Sequence, residues 1–304
     1  MGKIALAIHG GAGTILKSQM TPDLEHEYRG GLEAALQAGW KILDKGGSAL
    51  DAVEATVISL EDFPLFNAGR GSVFTHEGRQ EMDASIMDGR RKRAGGVAAV
   101  RNIRNPVTLA RLVMERTEHV LLAGEGANQF ADEMGVRTEP DEYFFTEHRW
   151  LQFQDALATG RVSLDHSAKS LGTVGAVACD ARGHLAAATS TGGMTNKRFG
   201  RVGDTPVIGH GTYADAECAV SCTGHGEFFM LGVSAYDVAA RMEYKGLSLE
   251  DAARETIERL TDIKGEGGLI AVDKNGNVTL PFNCEGMYRG HIDLNGDTRT
   301  DIYR

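Results

Sequence analysis

The sequence predicts an α+β fold in which two β-sheets lie between layers of helices. Helix-like and strand-like segments alternate up to a polar region at residues 155–172, where the pattern changes. After that region the predicted order is three strands, two helices and two strands. This order departs from the strict β-α-β alternation of a doubly wound parallel sheet. A chain of 304 residues, 42% of them hydrophobic, is long and apolar enough to bury a large core.

The amino-terminal half predicts a buried strand followed by helices whose ends carry capping signals. Apolar residues at helical spacing over Asp23–Lys45 indicate an amphipathic helix that ends at Gly46. Ser48 begins a capping motif for the next helix, and Pro106 is a favourable first helical residue. The predicted elements are a strand over Lys3–Ile8 that runs into a glycine turn, helices over Asp23–Lys45, Ser48 to about Glu61, Pro106–Thr117 and Gly124–Met134, and a strand over Gly96–Val100.

The carboxy-terminal half predicts two hairpins on either side of a strand and two helices. The turn Asp180–Gly183 separates two apolar runs, as does the turn Asp273–Gly276, and such spacing is typical of β-hairpins. The predicted elements are strands over Thr173–Cys179, His184–Ser190 and Cys218–Cys222, helices over Glu227–Tyr244 and Leu249 to about Thr261, and strands over Leu269–Val272 and Val278–Phe282.

The charge balance excludes several classes of partner. A net charge of −10 opposes binding to phosphate backbones and to acidic membranes, so neither a nucleic acid nor a membrane is an expected partner. The basic run Arg90–Arg93 stands alone beside glycines and is interpreted as a solvated turn. The 39 glycines occur with only six prolines, which excludes a collagen-like chain and indicates tight turns or close backbone approaches.

The amino terminus and the cysteines both indicate a cytoplasmic protein. The apolar run Lys3–Ile8 is too short for the core of a signal peptide or for a membrane span. The four cysteines form no C-x-x-C pair, so reduced thiols in the core are expected and a zinc site is not.

The sequence contains no complete form of several common catalytic and nucleotide-binding motifs. His9–Gly13 is similar to the glycine-rich oxyanion loop of lipases, but no G-x-S-x-G elbow supplies the serine that such an enzyme needs. Gly209–Ala214 matches part of a dinucleotide fingerprint, yet it leads into a strand rather than a helix. No phosphate-binding P-loop and no H-E-x-x-H zinc motif occurs in the sequence.

Thr173 is a candidate nucleophile because of its position. It begins a hydrophobic strand, follows Gly172 and lies behind the polar stretch Asp165–Ser170. A chain cut before it would begin with threonine, whose own α-amine, of pKa about 7.7–8.0, can take the proton of the hydroxyl. Threonine is also common in strands, so the spacing alone favours an ordinary structural role.

Three further segments place hydroxyl or charged groups near predicted strand ends. Thr189–Gly193 ends a strand with hydroxyls and flexible backbone, and Ser221–Gly226 adds a hydroxyl and exposed amides that could donate to an oxyanion. Arg201 and Asp204 offer a cation and an anion close together, although a surface salt bridge is the simpler interpretation of such a pair.

Taken together, these segments resemble the isoaspartyl peptidase/L-asparaginase family of N-terminal nucleophile hydrolases over nearly the whole chain. The resemblance implies a four-layer αββα sandwich. It also implies a precursor that cuts itself between Gly172 and Thr173 into subunits 1–172 and 173–304, which assemble as a dimer of αβ heterodimers. The matching segments are Ile8–Gly13, Phe66–Gly71, Met82–Gly89, Gly172–Val177, Ala188–Lys197, Gly200–Asp204 and Ser221–Gly224.

The same resemblance implies a role for each matching residue. The substrates would be L-asparagine and β-aspartyl dipeptides, hydrolysed through an acyl-enzyme on Thr173 without a catalytic cofactor. The other roles would be Thr191 orienting the nucleophile, Thr223 and Gly224 forming the oxyanion hole, Arg201 holding the substrate carboxylate, Asp204 holding the substrate ammonium, and Gly226 and Asn67 lying at the substrate site. The loop that contains Asn67 resembles a structural sodium site made by the backbone carbonyls of Leu60, Glu61, Phe63, Phe66, Ala68 and Arg70.

Two features depart from the family pattern, and two other functions remain open. His225 stands where a small hydroxyl residue is familiar, and the polar stretch before Thr173 is short, which would slow or restrain self-cleavage. Glycosylasparaginase shares the fold and nucleophile, but the absence of a leader and of a disulfide framework counts against it. A non-catalytic relative that only binds amino acids is disfavoured because Thr173, Thr191 and Thr223 are all present.

Overall fold

The structure is a computed structural model that describes residues 3–160, 172–292 and 296–304. The strands in these ranges are β1 (Ala5–Gly13), β2 (Met82–Asp88), β3 (Arg93–Val100), β4 (Leu121–Ala123), β5 (Val174–Cys179), β6 (Leu185–Thr191), β7 (Thr212–Ala214), β8 (Cys218–Gly224), β9 (Gly267–Asp273), β10 (Val278–Thr279), β11 (Gly286–Ile292) and β12 (Thr298–Tyr303). The helices are α1 (Pro22–Asp44), α2 (Ala49–Glu61), α3 (Pro106–Arg116), α4 (Gly124–Glu133), α5 (Asp141–Phe144), α6 (Glu147–Thr159), α7 (Gly226–Gly232), α8 (Ser234–Lys245) and α9 (Leu249–Asp262).

The described strands form two sheets. The larger has the order β12-β11-β1-β5-β6-β2-β3-β4 and the smaller the order β10-β9-β8-β7. Neighbours in both sheets pair antiparallel, apart from the parallel pair β3 and β4. The protein is therefore a mixed α+β protein, as the sequence predicted.

Strand β1 shows how the two sides of the larger sheet are used. Leu6 and Ile8 belong to the apolar cluster that α1, α2 and α3 cover. Ala5 and Ala7 point the other way, into a second cluster that contains strands β8 and β9 and helices α8 and α9. Successive side chains along a strand point to opposite faces of the sheet. A strand whose residues are apolar on both faces is therefore buried on both faces. This alternation places the two sheets against each other.

Most of the predicted helix boundaries are confirmed, because capping side chains mark them. Thr21 Oγ1 accepts a hydrogen bond from the first turn of α1, Ser48 Oγ from that of α2, and Ser248 Oγ from that of α9. Of the basic run Arg90–Arg93, the first three residues form the predicted exposed turn between β2 and β3, whereas Arg93 is the first residue of β3. The four cysteines are buried and free, also as predicted.

Several predicted elements are wrong in their extent, among them the strand predicted over Val278–Phe282, which the structure ends at Thr279. The single helix predicted over Glu227–Tyr244 is two helices, because Val233 between them has φ 50° and ψ 45°, a left-handed conformation that ends α7. The strand predicted to stop at Ile8 continues as β1 to Gly13, with an irregularity in its pairing with β11 between His9 and Gly11. The glycine segment is therefore part of a central strand rather than a turn.

None of the helices in the described ranges combines the length and apolarity required to span a lipid bilayer.

Candidate active site

Three strands bring threonine hydroxyls to one edge of the sheet sandwich. Thr173 directly precedes β5, Thr191 ends β6, and Thr223 lies near the end of β8. Because β5 and β6 are antiparallel neighbours with Val174 opposite Ser190, the start of one strand lies beside the end of the other. The three threonines have relative exposures of 6%, 3% and 0%. Residues far apart in the sequence therefore form one buried hydroxyl cluster.

The Thr173 hydroxyl has a defined partner. Its Oγ1 donates a hydrogen bond to Thr191 Oγ1 at 3.2 Å, and the Gly193 N–H donates to the same Thr191 oxygen at 3.0 Å. Thr191 thus acts as the acceptor that fixes the direction of the Thr173 hydroxyl.

Thr223 and Gly224 lie against the Gly172–Thr173 junction. Thr223 Oγ1 donates to the Thr173 carbonyl oxygen at 3.2 Å. A Cβ built on Gly172 would lie 3.3 Å from Thr223 Oγ1 and 3.9 Å from the Gly224 nitrogen. Gly224 has φ 139°, and a Cβ there would lie 2.4 Å from the Glu266 carbonyl oxygen, so only glycine fits this position. A hydroxyl and a backbone nitrogen therefore lie close to the junction, where they could donate to an oxyanion.

Arg201 holds a carboxylate of its own chain. Its Nε and Nη2 donate to the two carboxylate oxygens of Glu227, each at 2.8 Å. This two-point geometry is the one that a guanidinium forms with a free carboxylate. The resemblance implied that Arg201 holds the substrate carboxylate, and this role stays a prediction. Glu227 was not predicted as a partner, because nothing in the pattern around the first turn of α7 distinguishes it from a solvated helix residue.

Asp204 lies close to Arg201 with one oxygen unused. Its side chain is buried, and Oδ2 has no hydrogen-bond partner within the described part of the chain. Burial raises the pKa of Asp204 to about 7, and the positive charge of Arg201 opposes that rise. A buried carboxylate with a free oxygen is suited to receiving a cation.

Gly226 separates the two charged groups. A Cβ at this position would lie 2.8 Å from Asp204 Oδ1 and 2.9 Å from Arg201 Nη2. Any side chain at residue 226 would therefore occupy the space between the Asp204 carboxylate and the Arg201 guanidinium.

Asn67 acts on the backbone that follows Thr191. Its Nδ2 donates to the Gly193 carbonyl at 2.7 Å, and its Oδ1 accepts from the Val73 N–H at 3.1 Å. A Cβ on Gly192 would lie 2.4 Å from the Asn67 Oδ1. Asn67 thus fixes the turn that supplies the Gly193 N–H to Thr191.

The loop between α2 and β2 is tied to helix α6. The buried Arg149 donates from Nε to the Gly71 carbonyl at 2.7 Å and from Nη2 to the Leu65 carbonyl at 3.0 Å. The expected sodium-binding carbonyls belong to the last two residues of α2 and to this loop, and those of Leu60, Phe66 and Ala68 accept nearby backbone N–H groups. These three carbonyl oxygens therefore already accept one hydrogen bond each from the backbone, and the sodium site stays a prediction.

One pocket collects nearly all of the predicted catalytic and substrate-binding residues. His225 and Glu266 also line it, and the His225 Nε2 lies 3.7 Å from Glu227 Oε2. Thr223 is the exception among the predicted catalytic and substrate-binding residues, since it is fully buried. The six residues of the expected sodium site do not line this pocket either. The predicted residues that line the pocket are Asn67, Gly172, Thr173, Thr191, Arg201, Asp204, Gly224 and Gly226. The stretch Asp165–Ser170 lies outside the described residues, so the expected slow cleavage stays a prediction.

Sequence reasoning also missed His9, which the structure places beside Thr173. The buried His9 Nδ1 lies 2.9 Å from the Thr173 carbonyl oxygen. The only signal was a polar residue directly after the predicted strand, and the glycines that follow it indicated a turn instead.

Comparison with known proteins agrees with the motifs. A family model described as asparaginase matches residues 2–302. The isoaspartyl peptidase of Salmonella typhimurium is 53% identical over 312 residues, covering 100% of both chains. The isoaspartyl peptidase of Escherichia coli is 52% identical over 312 residues, covering 100% of this chain and 97% of the relative. The isoaspartyl peptidase/L-asparaginase of Mus musculus is 47% identical over 287 residues, covering 93% and 86%.

Proposed function

Because the chain belongs to the asparaginase family, we propose that it hydrolyses the side-chain amide of L-asparagine and the isopeptide bond of β-aspartyl dipeptides, releasing L-aspartate. The observation that carries this proposal is the convergence of the Thr173, Thr191 and Thr223 hydroxyls beside Arg201 and Asp204. This arrangement combines a nucleophile, oxyanion donors and a charge pair for a free amino acid unit.

The nucleophile arises by self-cleavage in this proposal. The Thr173 hydroxyl oxygen attacks the Gly172 carbonyl carbon, the C–N bond breaks, and the nitrogen takes up the proton to become an amine. The resulting ester between Gly172 and the Thr173 side chain is then hydrolysed by water. This sequence leaves a free carboxylate on Gly172, a free hydroxyl and a free α-amine on Thr173, and two fragments, 1–172 and 173–304.

Substrate hydrolysis repeats the same chemistry. The α-amine of Thr173 takes the hydroxyl proton, and the oxygen attacks the β-carbonyl of the aspartyl unit. Thr223 Oγ1 and the Gly224 N–H donate to the negatively charged oxygen that forms. The C–N bond breaks, ammonia or an amino acid leaves with the proton, and water hydrolyses the ester to release L-aspartate.

Arg201 and Asp204 select a substrate with free α-groups. The α-carboxylate takes the two-point site on Arg201 that Glu227 fills, and the α-ammonium meets the unused oxygen of Asp204. An ordinary α-aspartyl dipeptide has no free α-carboxylate, because that group forms the peptide bond. Its binding would leave a desolvated arginine without the substrate partner.

Family membership and the contacts between elements support further parts of the proposal. We include the four-layer αββα sandwich of the N-terminal nucleophile hydrolases and assembly as a dimer of αβ heterodimers. The backbone carbonyls of Leu60, Glu61, Phe63, Phe66, Ala68 and Arg70 would hold a sodium ion. Such an ion would stiffen the loop that carries Asn67 and takes no part in a chemical step.

The test begins with the mass of the purified protein over time and with aspartate release from asparagine. Self-cleavage should yield 1–172 and 173–304, and Thr173→Ala should remain one inactive chain. A pure amino-acid-binding protein would stay uncut, and a glycosylasparaginase would prefer glycan-linked asparagine. Turnover by Thr173→Ala would refute the assignment of the nucleophile.

Rates on three dipeptides test the charge pair separately. β-Asp-Leu should be hydrolysed, whereas α-Asp-Leu lacks the carboxylate for Arg201 and N-acetyl-β-Asp-Leu lacks the ammonium for Asp204. Arg201→Lys should also impair hydrolysis of β-Asp-Leu, because an ammonium cannot reproduce the two-point geometry. Arg90→Lys, in the exposed turn, is the matched control. Comparable hydrolysis of all three dipeptides would contradict the proposed charge pair.

A further inference from the structure

A row of buried polar side chains crosses the interface between the two sheets and ends at Thr173. His9 Nδ1 lies 2.9 Å from the Thr173 carbonyl oxygen, and His9 Nε2 lies 2.8 Å from Ser221 Oγ. Ser221 Oγ is in turn 2.7 Å from Thr189 Oγ1, which also bonds to Thr212. Most of this interface is lined by alanine, valine and other apolar side chains. Burying a polar row there is costly unless each group finds a partner.

The hydrogen bonds of this row can run in only one direction. A backbone carbonyl only accepts, so His9 must carry its proton on Nδ1 to bond to Thr173. Nε2 must then accept, which makes Ser221 its donor and Thr189 the donor to Ser221. Burial lowers the pKa of His9 to about 3, against the opposing effect of its bond to Thr173, so the ring stays neutral. The tautomer of His9 is thus set by its surroundings.

Gly175 makes room for this arrangement. It lies opposite His9 in the pairing of β1 with β5 and opposite Thr189 in the pairing of β5 with β6. A Cβ at Gly175 would lie 2.0 Å from Ser221 Oγ and 2.4 Å from His9 Nε2. Strand β5, which directly follows the candidate nucleophile, therefore has a glycine at the point where the polar row crosses it.

The Thr173 carbonyl accepts from two side chains. His9 Nδ1 is at 2.9 Å and Thr223 Oγ1 at 3.2 Å. Thr223 has one hydroxyl proton, and in the proposed reaction that proton must go to the oxyanion. Leaving a buried carbonyl without any donor is unfavourable. If Thr223 were its one donor, the Thr223 hydroxyl would tend to stay bonded to the Thr173 carbonyl instead of turning to the oxyanion.

We propose that His9 is a positioning residue that keeps the Thr173 carbonyl hydrogen-bonded so that the Thr223 hydroxyl is free to turn to the oxyanion. This inference depends on the proposed function, because it assumes that Thr223 donates in the transition state. Ser221 and Thr189 serve it by holding His9 in the tautomer that donates from Nδ1.

The test uses two isosteric substitutions of His9 in the full-length chain. An asparagine amide nitrogen lies near the place of Nδ1, so His9→Asn keeps a donor for Thr173. His9→Gln reaches towards Ser221 instead and removes that donor. For the cleaved protein, as quantified by intact mass, we expect kcat of His9→Gln to fall about 10- to 100-fold with KM changed less than about threefold. This loss is smaller than the 10²–10³-fold expected for removing an oxyanion donor outright. The loss in His9→Asn should be smaller than in His9→Gln.

The decisive measurement is the double variant with Thr223→Val. If His9 acts through Thr223, His9→Gln should lower kcat much less in the Thr223→Val background than in the wild type. A purely structural role for His9 predicts that the two losses multiply, and that result would overturn the inference. Equal activity of His9→Gln and wild type would overturn it as well.

Two further variants keep the outcome interpretable. If His9→Gln does not mature, Ser221→Ala replaces it, because that variant retains His9 but removes the donor to Nε2. Ser221→Ala should lower kcat less than His9→Gln does, and its effect should also be smaller in the Thr223→Val background than in the wild type. Losses that multiply would again overturn the inference. Thr173→Ala tests the proposed function itself. An inactive Thr173→Ala together with multiplying losses would reject the role of His9 alone.

Discussion

At the scale of single residues, the ion pair between Arg201 and Glu227 sets a cost for binding a substrate carboxylate. Both guanidinium bonds measure 2.8 Å, and the two side chains are 17% and 44% exposed. A pair of this exposure contributes up to about 1 kcal/mol. The substrate must replace Glu227 on Arg201, so the internal carboxylate competes with it.

Glu227→Gln should therefore lower KM. A neutral amide competes less well for Arg201, and we expect KM for β-Asp-Leu to fall about two- to fivefold with kcat nearly unchanged, since ~1 kcal/mol corresponds to about fivefold. Steady-state kinetics on the cleaved protein measure this, with Glu250→Gln on the exposed face of α9 as the control. A higher KM would mean that Glu227 mainly holds Arg201 in position.

The raised pKa of Asp204 predicts a particular pH dependence. Burial raises that pKa to about 7, so below this pH the carboxyl group of the free enzyme is protonated and cannot attract the substrate ammonium. kcat/KM should therefore rise with pH through about 7. The bound substrate ammonium favours the ionised form of Asp204, so the rise due to Asp204 should be weaker in the pH profile of kcat. The rise due to the Thr173 α-amine should appear in the profiles of both kcat and kcat/KM. Full pH profiles of kcat and kcat/KM distinguish the two groups. If the rise near pH 7 were equally large in both profiles, it would be due to the Thr173 α-amine alone.

Asp204 also links pH to stability. Its folded pKa lies above the ordinary value of 3.8, so its ionisation is less favourable in the folded protein than in the unfolded chain. The contribution of Asp204 to the free energy of unfolding therefore decreases as pH rises from about 4 to about 7, which makes the protein less stable.

At the scale of elements, Arg149 joins helix α6 to the loop that carries Asn67. It is 1% exposed and donates to the carbonyls of Leu65 and Gly71. Asn67 in turn fixes Gly193, whose N–H bonds to Thr191. A helix remote from the reacting groups thus supports the turn beside the nucleophile.

Arg149→Met should destabilise the protein by about 2–6 kcal/mol, because the carbonyls of Gly71 and Leu65 lose their donors at about 1–3 kcal/mol each. Arg149→Lys should be intermediate, since an ammonium cannot match the guanidinium geometry at both carbonyls. Urea unfolding in a Thr173→Ala background, which keeps the chain in one piece, measures the difference. Arg254→Met, at an exposed position of α9, controls for the loss of a surface arginine. A stability equal to that of the parent would show that these contacts are weak.

Local signals in the sequence predicted the helices, because caps such as Ser48 and Ser248 act within one turn. They did not predict the break at Val233, since periodicity continues from α7 to α8 and the left-handed residue is not glycine. The motifs predicted Thr173 and its partners, whereas Glu227 and His9 depend on contacts between distant strands and helices.

At the scale of the whole molecule, the two predicted fragments are interleaved within one sheet. In the larger sheet, β1 and β2–β4 precede residue 172, whereas β5, β6, β11 and β12 follow it. Pairs β1–β5, β1–β11 and β2–β6 therefore join one fragment to the other. Helix α2 also shares a core with β5, across the same division.

Cleavage before Thr173 should therefore leave the two fragments in a single complex. Separating them would expose the backbone groups of three strand pairs and a core made by both fragments, which is far more costly than the cut itself. Size-exclusion chromatography of the cleaved protein should yield one peak that contains 1–172 and 173–304 in equal amounts. This peak should elute with uncut Thr173→Ala, because a cut at the start of β5 leaves each strand pair intact. Denaturant should be needed to resolve the fragments. Separate elution in native buffer would mean that the interleaved sheet does not survive the cut.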